Sequence, residues 1–319
     1  RDAVARHQMR WYNHVVDPDT EVLITAGATE AIAGAILALV DEGDEVIALE
    51  PYYDSYAACI AMARGVRVPV TLRAPDFRID LNALKAAVTP RTTMLLINSP
   101  HNPTGMALTE DERQAICDLA IEHDLVVVSD EVYEHLTFDT ATHVPIATLP
   151  GMRERTITIS SGGKSFNTTG WKIGWACAPA PLINATRMAK QLFTFAGGSP
   201  FQPAIAAGLR LPDSYFTALA ADLQNKRDVL MLALEESGLR PITPEGTYFI
   251  TADVRGRRAD GDGVAFCREL PGQAGIVAIP AAVLYDPRHE SEGRHLVRFA
   301  FCKEQTTIAR ASEQLRAWA

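Results

Sequence analysis

Lys164 stands in Ser161-Gly162-Gly163-Lys164-Ser165, directly after the apolar and β-branched run Thr156 to Ser160. An amine at a strand end becomes a nucleophile when desolvation depresses its pKa, and is otherwise a solvated charge on a flexible Gly-Gly loop. The segment ends like the phosphate-binding pattern G-x-x-x-x-G-K-[ST], but the first glycine would fall on Thr158, which demotes a nucleotide-hydrolysing reading. A second candidate is Asp130, in Asp130-Glu131-Val132-Tyr133 after the apolar run Leu125 to Ser129. A carboxylate there costs desolvation energy unless it caps a helix or meets a cation. Gly27, in Ala26-Gly27-Ala28-Thr29, permits a tight turn ahead of a helix whose free N–H groups suit an anion, although a glycine before a helix is often only structural. Asn98 and Asn102 flank Pro100 in a segment running to Gly105, which reads equally well as a plain turn. In His295 to Phe301 the alternation sets Val297, Phe299 and Phe301 on one face and Arg298 on the other, where its planar fork suits a carboxylate or is simply solvated.

These residues need a scaffold that gathers strand ends. From Glu21 to about Ala180 short apolar runs alternate with helical patterns, the signature of βαβ units. Candidate strands are Glu21 to Thr25, Glu45 to Leu49, Val66 to Leu72, Met94 to Asn98, Leu125 to Ser129, Thr156 to Ser160 and Ile173 to Ala178. An α/β fold with a mostly parallel seven-stranded sheet follows, with ligands expected beyond the carboxyl ends of the strands. Thr109 and Glu112 form a capping-box pattern, and Thr29 to Val40 is apolar nearly all round, so that helix is expected to be buried. Beyond the stretch Gly197 to Pro203 a long helix, Tyr215 to Glu236, ends at Gly238. Strands Thr247 to Val254, Gly275 to Ile279 and His295 to Cys302 and a last helix, Ile308 to Trp318, then read as a smaller α+β domain. The expected division is residues 1–20, 21–212 and 213–319.

With 319 residues, 47% of them hydrophobic, the chain can bury a sizeable core. Lys plus Arg number 30 against 39 Asp plus Glu, a net charge of −9, which is the wrong sign for a nucleic-acid partner. The longest apolar run, Ala31 to Val40, is about half of the roughly 20 residues a membrane-spanning helix needs, so no membrane partner is expected. The five widely spaced cysteines suggest no metal site and no disulfide framework, and fit a reducing cytoplasm. The sequence begins at Arg1 without a methionine, and a segment ahead of it is expected.

Asn102-Pro103-Thr104-Gly105, Asp130-Glu131-Val132-Tyr133, Ser161-Gly162-Gly163-Lys164 and Gly170-Trp171-Lys172-Ile173-Gly174 occur in the order and approximate spacing of one family. In that combination the chain resembles class I/II aminotransferases, the fold type I pyridoxal-phosphate enzymes, over essentially its whole length. The resemblance implies a large cofactor-binding domain, a homodimer, and pyridoxal 5′-phosphate as cofactor. It implies transfer of an amino group from an amino acid to a 2-oxo acid in two half-reactions. By the same resemblance Lys164 carries the cofactor in Schiff-base linkage and then shuttles a proton. Asp130 keeps the pyridine nitrogen protonated: a carboxylate about 4 Å away is worth roughly 4 kcal/mol at an effective dielectric near 20. Tyr133 and Asn102 donate to the phenolic oxygen, and Tyr53 stacks on the ring. Ala28, Thr29, Ser161 and Lys172 hold the phosphate beside Gly27, and Arg298, with Asn98 and Asn102, meets the substrate carboxylate. Glu-Pro-Tyr-Tyr-Asp-Ser-Tyr and Arg298-Phe-Ala-Phe-Cys-Lys look closest to the branch with kynurenine, glutamine, methionine and N-succinyldiaminopimelate aminotransferases. Members usually carry several dozen residues ahead of the position of Arg1, including part of the substrate pocket. A cysteine-conjugate β-lyase using the same lysine and a non-catalytic ligand sensor are the alternatives.

Overall fold

In the computed structural model, which describes residues 1–319, the seven apolar runs join one sheet. They are β1 (Val22–Thr25), β2 (Glu45–Glu50), β3 (Val66–Thr71), β4 (Thr92–Asn98), β5 (Val126–Asp130), β6 (Thr156–Ser161) and β7 (Gly174–Cys177), in the order β1-β7-β6-β5-β4-β2-β3. Neighbours run parallel except β7, which is antiparallel to both β1 and β6.

Alternation along each strand divides the side chains between two covered faces. Val46, Ala48, Met94, Leu96, Val128, Ile157 and Ile159 pack under Ile32 and Ile36, while Ile47, Leu49, Leu95, Ile97 and Val127 pack under Ile116 and Leu119. Ile32 and Ile36 belong to a helix that is apolar because it is buried. Two further helices complete what matters for the site, so that in chain order α1 is Asp2–Tyr12, α2 is the buried Ala28–Leu39 and α3 is Ser55–Met62. The helix Glu110–Glu122 carries the expected capping box, with Thr109 and Glu112 each meeting the other's backbone N–H.

The second sheet has order β10-β11-β9-β8, all antiparallel, from β8 (Arg240–Ile242), β9 (Phe249–Asp253), β10 (Ile279–Pro280) and β11 (Leu296–Ala300). The helices Asp213–Glu236 and Gln305–Trp318 cover it, with Leu230, Leu234, Ile308 and Leu315 against Ile250, Ala252, Val297 and Phe299. Two expectations fail here. Gly275 to Ile279 pairs only at its last residue, because Gly275, at φ 68°, is the left-handed cap of the preceding helix. The short edge strand β8, interrupted by Pro241, was not anticipated.

The first sheet meets the connection between β10 and β11 around Glu50, which is fully buried. It accepts from the Thr71 hydroxyl (2.6 Å) and the Asp286 backbone N–H (2.8 Å), and pairs with His289. Close by, the Tyr52 N–H donates to the Leu284 carbonyl at 2.8 Å, which seats the Tyr52-Tyr53 corner. No helix is long and apolar enough to cross a membrane.

Candidate active site

A cavity of about 460 Å³ opens at the carboxyl ends of the parallel strands. Its walls include Gly27, Ala28 and Thr29 after β1, Asn98 at the end of β4 and Asn102 beyond it, Asp130 at the end of β5 and Tyr133 beyond it, and Ser161, Lys164 and Lys172 around β6, with Tyr53 from the β2 side. The structure therefore brings eleven of the twelve sequence-selected residues to one space, and the twelfth, Arg298 on β11, donates from Nη1 to Asn102 Oδ1 at 2.8 Å.

At one end lies a tight turn with free N–H groups and a lysine beside it. Gly27 (φ 80°) turns the chain into α2, whose first N–H groups have no partner within the helix. Gly174 on β7 lies so close that a Cβ there would sit 2.7 Å from the Ala28 nitrogen. Lys172, in the left-handed region (φ 53°), brings its side chain past Gly27. Tyr53 is tethered to this end through a 3.4 Å contact between its hydroxyl and that of Thr29.

Asp130 ends β5 without capping any helix, which removes the structural reading of that residue. It is buried, accepting from the Tyr56 hydroxyl at 2.6 Å and the Val132 N–H at 3.3 Å. Burial pushes its carboxyl up to about 6 against the pull of those two donors. No cation touches it; Lys164 Nζ instead donates to the Tyr248 hydroxyl at 2.8 Å. The segment after Asp130 is fixed from behind, with Glu131 bonded to Ser129 and His143 and Glu134 to Ser160. His7 on α1, Glu134 and His135 bring three ligand-type atoms within 4.8 Å, but His7 Nε2 and His135 Nε2 bond each other at 2.8 Å and tie α1 to this segment.

Lys164 does not sit on a flexible loop. Residues Gly162–Ser165 form one helical turn, and its two glycines are required by contact: a Cβ on Gly162 would lie 2.6 Å from Ile205, and one on Gly163 would lie 3.0 Å from the Thr169 Cα. Asn98 is occupied at both ends of its amide, donating to the Asp130 carbonyl (2.8 Å) and accepting from the Asn102 N–H (2.7 Å). It braces Asn102 rather than offering free hydrogen bonds. Arg298 lies 4.1 Å over the Phe249 ring, with burial drawing its pKa down.

Sequence reasoning missed Tyr56, Thr169 and Tyr248. Thr169 lies within the Gly-rich segment and lines the cavity. Tyr56 is separated from Asp130 by 74 positions, and no local pattern links them. An ionisable carboxyl short of a cation, a nearby amine and a turn short of an anion fit pyridoxal 5′-phosphate, whose pyridine nitrogen, aldehyde and phosphate supply the three complements.

A family model described as aminotransferase class I and II matches residues 1–314. The chain is 49% identical over 324 residues to the probable N-succinyldiaminopimelate aminotransferase DapC of Mycobacterium tuberculosis, spanning 99% of this chain and 81% of that protein. It is 39% identical over 317 residues to the methionine aminotransferase of Escherichia coli, spanning 99% of this chain and 81% of that protein. The solved structure of N-succinyldiaminopimelate aminotransferase from Mycobacterium tuberculosis matches with a TM-score of 0.95 at 49% identity, covering 100% of this chain and 83% of that one.

Proposed function

The chain belongs to the class I and II aminotransferases, which are pyridoxal 5′-phosphate enzymes, and from that premise we propose that it exchanges the amino group of an N-succinyldiaminopimelate-type substrate with a 2-oxo acid. The observation that carries the substrate class is the 49% identity to the relative named for that substrate, against 39% for the relative named for methionine. A panel of amino donors with 2-oxoglutarate and pyruvate tests it. N-succinyl-L,L-diaminopimelate is expected to give the highest kcat/KM, and a higher value for kynurenine, glutamine or methionine overturns the assignment. The β-lyase alternative draws no support from these relatives.

When bound, the cofactor's protonated ring supplies the electron sink for bond breaking at the amino acid's α-carbon. The Asp130 carboxylate would hold the proton on the ring nitrogen, the cation that this buried acid lacks. Lys164 Nζ would hold the cofactor by its aldehyde and, once released, take and return the proton at the α-carbon. Tyr133 and Asn102 would donate to the phenolic oxygen, and Tyr53 would lie against the ring. Gly27, Ala28, Thr29, Ser161 and Lys172 would hold the phosphate.

Arg298 would take the substrate's α-carboxylate through its two-pronged fork, with Asn102 beside it and Asn98 as its brace. Arg298→Lys is expected to raise KM for the amino acid by roughly tenfold to a hundredfold with a smaller change in kcat, because a point charge cannot make the bidentate contact. Initial-rate kinetics check it, and an unchanged KM removes Arg298 from the substrate site.

We further propose that the working form is a cytoplasmic homodimer. Met188, Leu192 and Phe195 are 74%, 86% and 77% exposed, and Phe193 and Phe201 extend this apolar surface toward Trp171, on which Phe201 stacks, beside the cavity. All five cysteines are free, which suits a reducing compartment. We also propose the division into residues 1–20, 21–212 and 213–319, whose second boundary is supported by the change from the first sheet to the second.

A further inference from the structure

We propose that Tyr248 is a positioning residue for Lys164, its hydroxyl accepting from the Lys164 amine and holding it at the wall of the cavity that Asp130 also lines; this rests on the reading of Lys164 as the reacting amine. Lys164 Nζ donates to Tyr248 Oη at 2.8 Å and lies 5.6 Å from the centroid of the Tyr133 ring. The Tyr248 ring stands edge-on to that of Tyr133, with centroids 5.3 Å apart and planes at 86°. The amine is thus enclosed by two phenols, one from each sheet's end of the molecule.

The backbone holding Tyr248 is conformationally costly. Thr247, fully buried and β-branched, has φ 68°, a region such residues rarely adopt. It is kept there by its neighbours: Gly246 N–H donates to the Gly105 carbonyl (2.8 Å), Thr247 N–H to the Leu136 carbonyl (2.9 Å), and Phe301 N–H to the Tyr248 carbonyl (3.0 Å). A Cβ on Gly246 would lie 2.6 Å from the Leu136 oxygen, so the turn closes only with glycine there. Gly105 follows Asn102, and Leu136 follows Tyr133. The unfavourable turn is therefore clamped to the two segments that carry those residues, and its product is the placement of one hydroxyl on one amine. Strain retained in this way marks positions where geometry is used.

Tyr248→Phe removes the hydroxyl and keeps the ring. In the full chain before pyridoxal phosphate is added, reductive methylation at pH 7.5 with peptide mass spectrometry reads the availability of Lys164. Labelling of Lys164 is expected to rise about tenfold in Tyr248→Phe, the scale of a lost hydrogen bond to a charged group, with Lys85 and Lys303 unchanged. In the loaded enzyme the same variant is expected to lower kcat while leaving KM for the amino acid within about twofold, since the hydroxyl acts on the lysine and not on substrate. Unchanged Lys164 labelling, or a change shared by the control lysines, overturns the proposal, as does an unchanged kcat. Should the wild-type chain transfer no amino group from any donor, the functional reading fails, and the labelling comparison still decides Tyr248.

Discussion

Lys164→Ala is expected to abolish amino transfer, lowering kcat by about 10⁴-fold or more, because in the proposed reaction one amine would serve both as the covalent anchor and as the proton carrier. No other amine in the cavity can replace it: Lys172, the second lysine of its wall, lies at the turn beside Gly27. Borohydride treatment after addition of pyridoxal phosphate gives an independent readout, since the peptide containing residue 164 should carry the trapped label in the wild type and lose it in the variant. Label retained on a different lysine at full stoichiometry, with activity, would move the chemistry away from Lys164. The variant should fold normally, because the turn Gly162–Ser165 is held by the fit of its glycines against Ile205 and Thr169 and by the Phe166 N–H to Gly162 carbonyl bond at 3.0 Å.

Asp130→Asn is expected to separate catalysis from stability. Activity should fall on the order of 10²–10³-fold, the scale of a lost electrostatic group in a dry site. The cofactor-free chain, however, should become more stable at neutral pH. The Asp130 carboxyl is raised from 3.8 to about 6 by burial, so between those values the folded chain holds a proton that the unfolded chain has released. Stability therefore declines as pH rises through that window, and above it the ionised group costs up to about 3 kcal/mol. Asparagine removes this cost while its side-chain oxygen still accepts from Tyr56. Thermal melts of the cofactor-free proteins should show the variant ahead at pH 8 and level with the wild type near pH 4. Equal midpoints at pH 8, or an advantage that persists at pH 4, would falsify the account.

Much of this site is readable one strand at a time, because in a parallel sheet the residues after each strand share one edge. Asp130, Lys164 and the Gly27 turn could be selected from local context: an apolar run, then an abrupt polar or glycine residue. The same logic misjudges what local sequence does not contain. Two glycines before Lys164 suggest flexibility, yet Ile205 and Thr169 pack against them and make the turn rigid. Asn98 looks like a free ligand-binding amide until Asp130 and Asn102 are seen to use both its ends. Tyr56 and Tyr248 each acquire their significance from a partner more than 70 positions away, separations of 74 and 84. In the second sheet, the apolar run after Gly275 has the composition of a strand, but the left-handed glycine spends it on leaving a helix.

The buried Glu50 has a consequence for how this molecule can be divided. It lies immediately before the corner that presents Tyr53, and the groups that hydrogen-bond it include the Asp286 backbone N–H and His289, more than 230 positions later, separations of 236 and 239. A fragment severed at the linker ahead of the long helix would keep every strand of the seven-stranded sheet and the Thr71 bond to Glu50, but would lose the Asp286 N–H and the His289 contact that cover that carboxylate. The seven-stranded sheet is thus not finished by its own residues: the corner that presents Tyr53 is seated by Leu284, Asp286 and His289, which lie beyond the long helix.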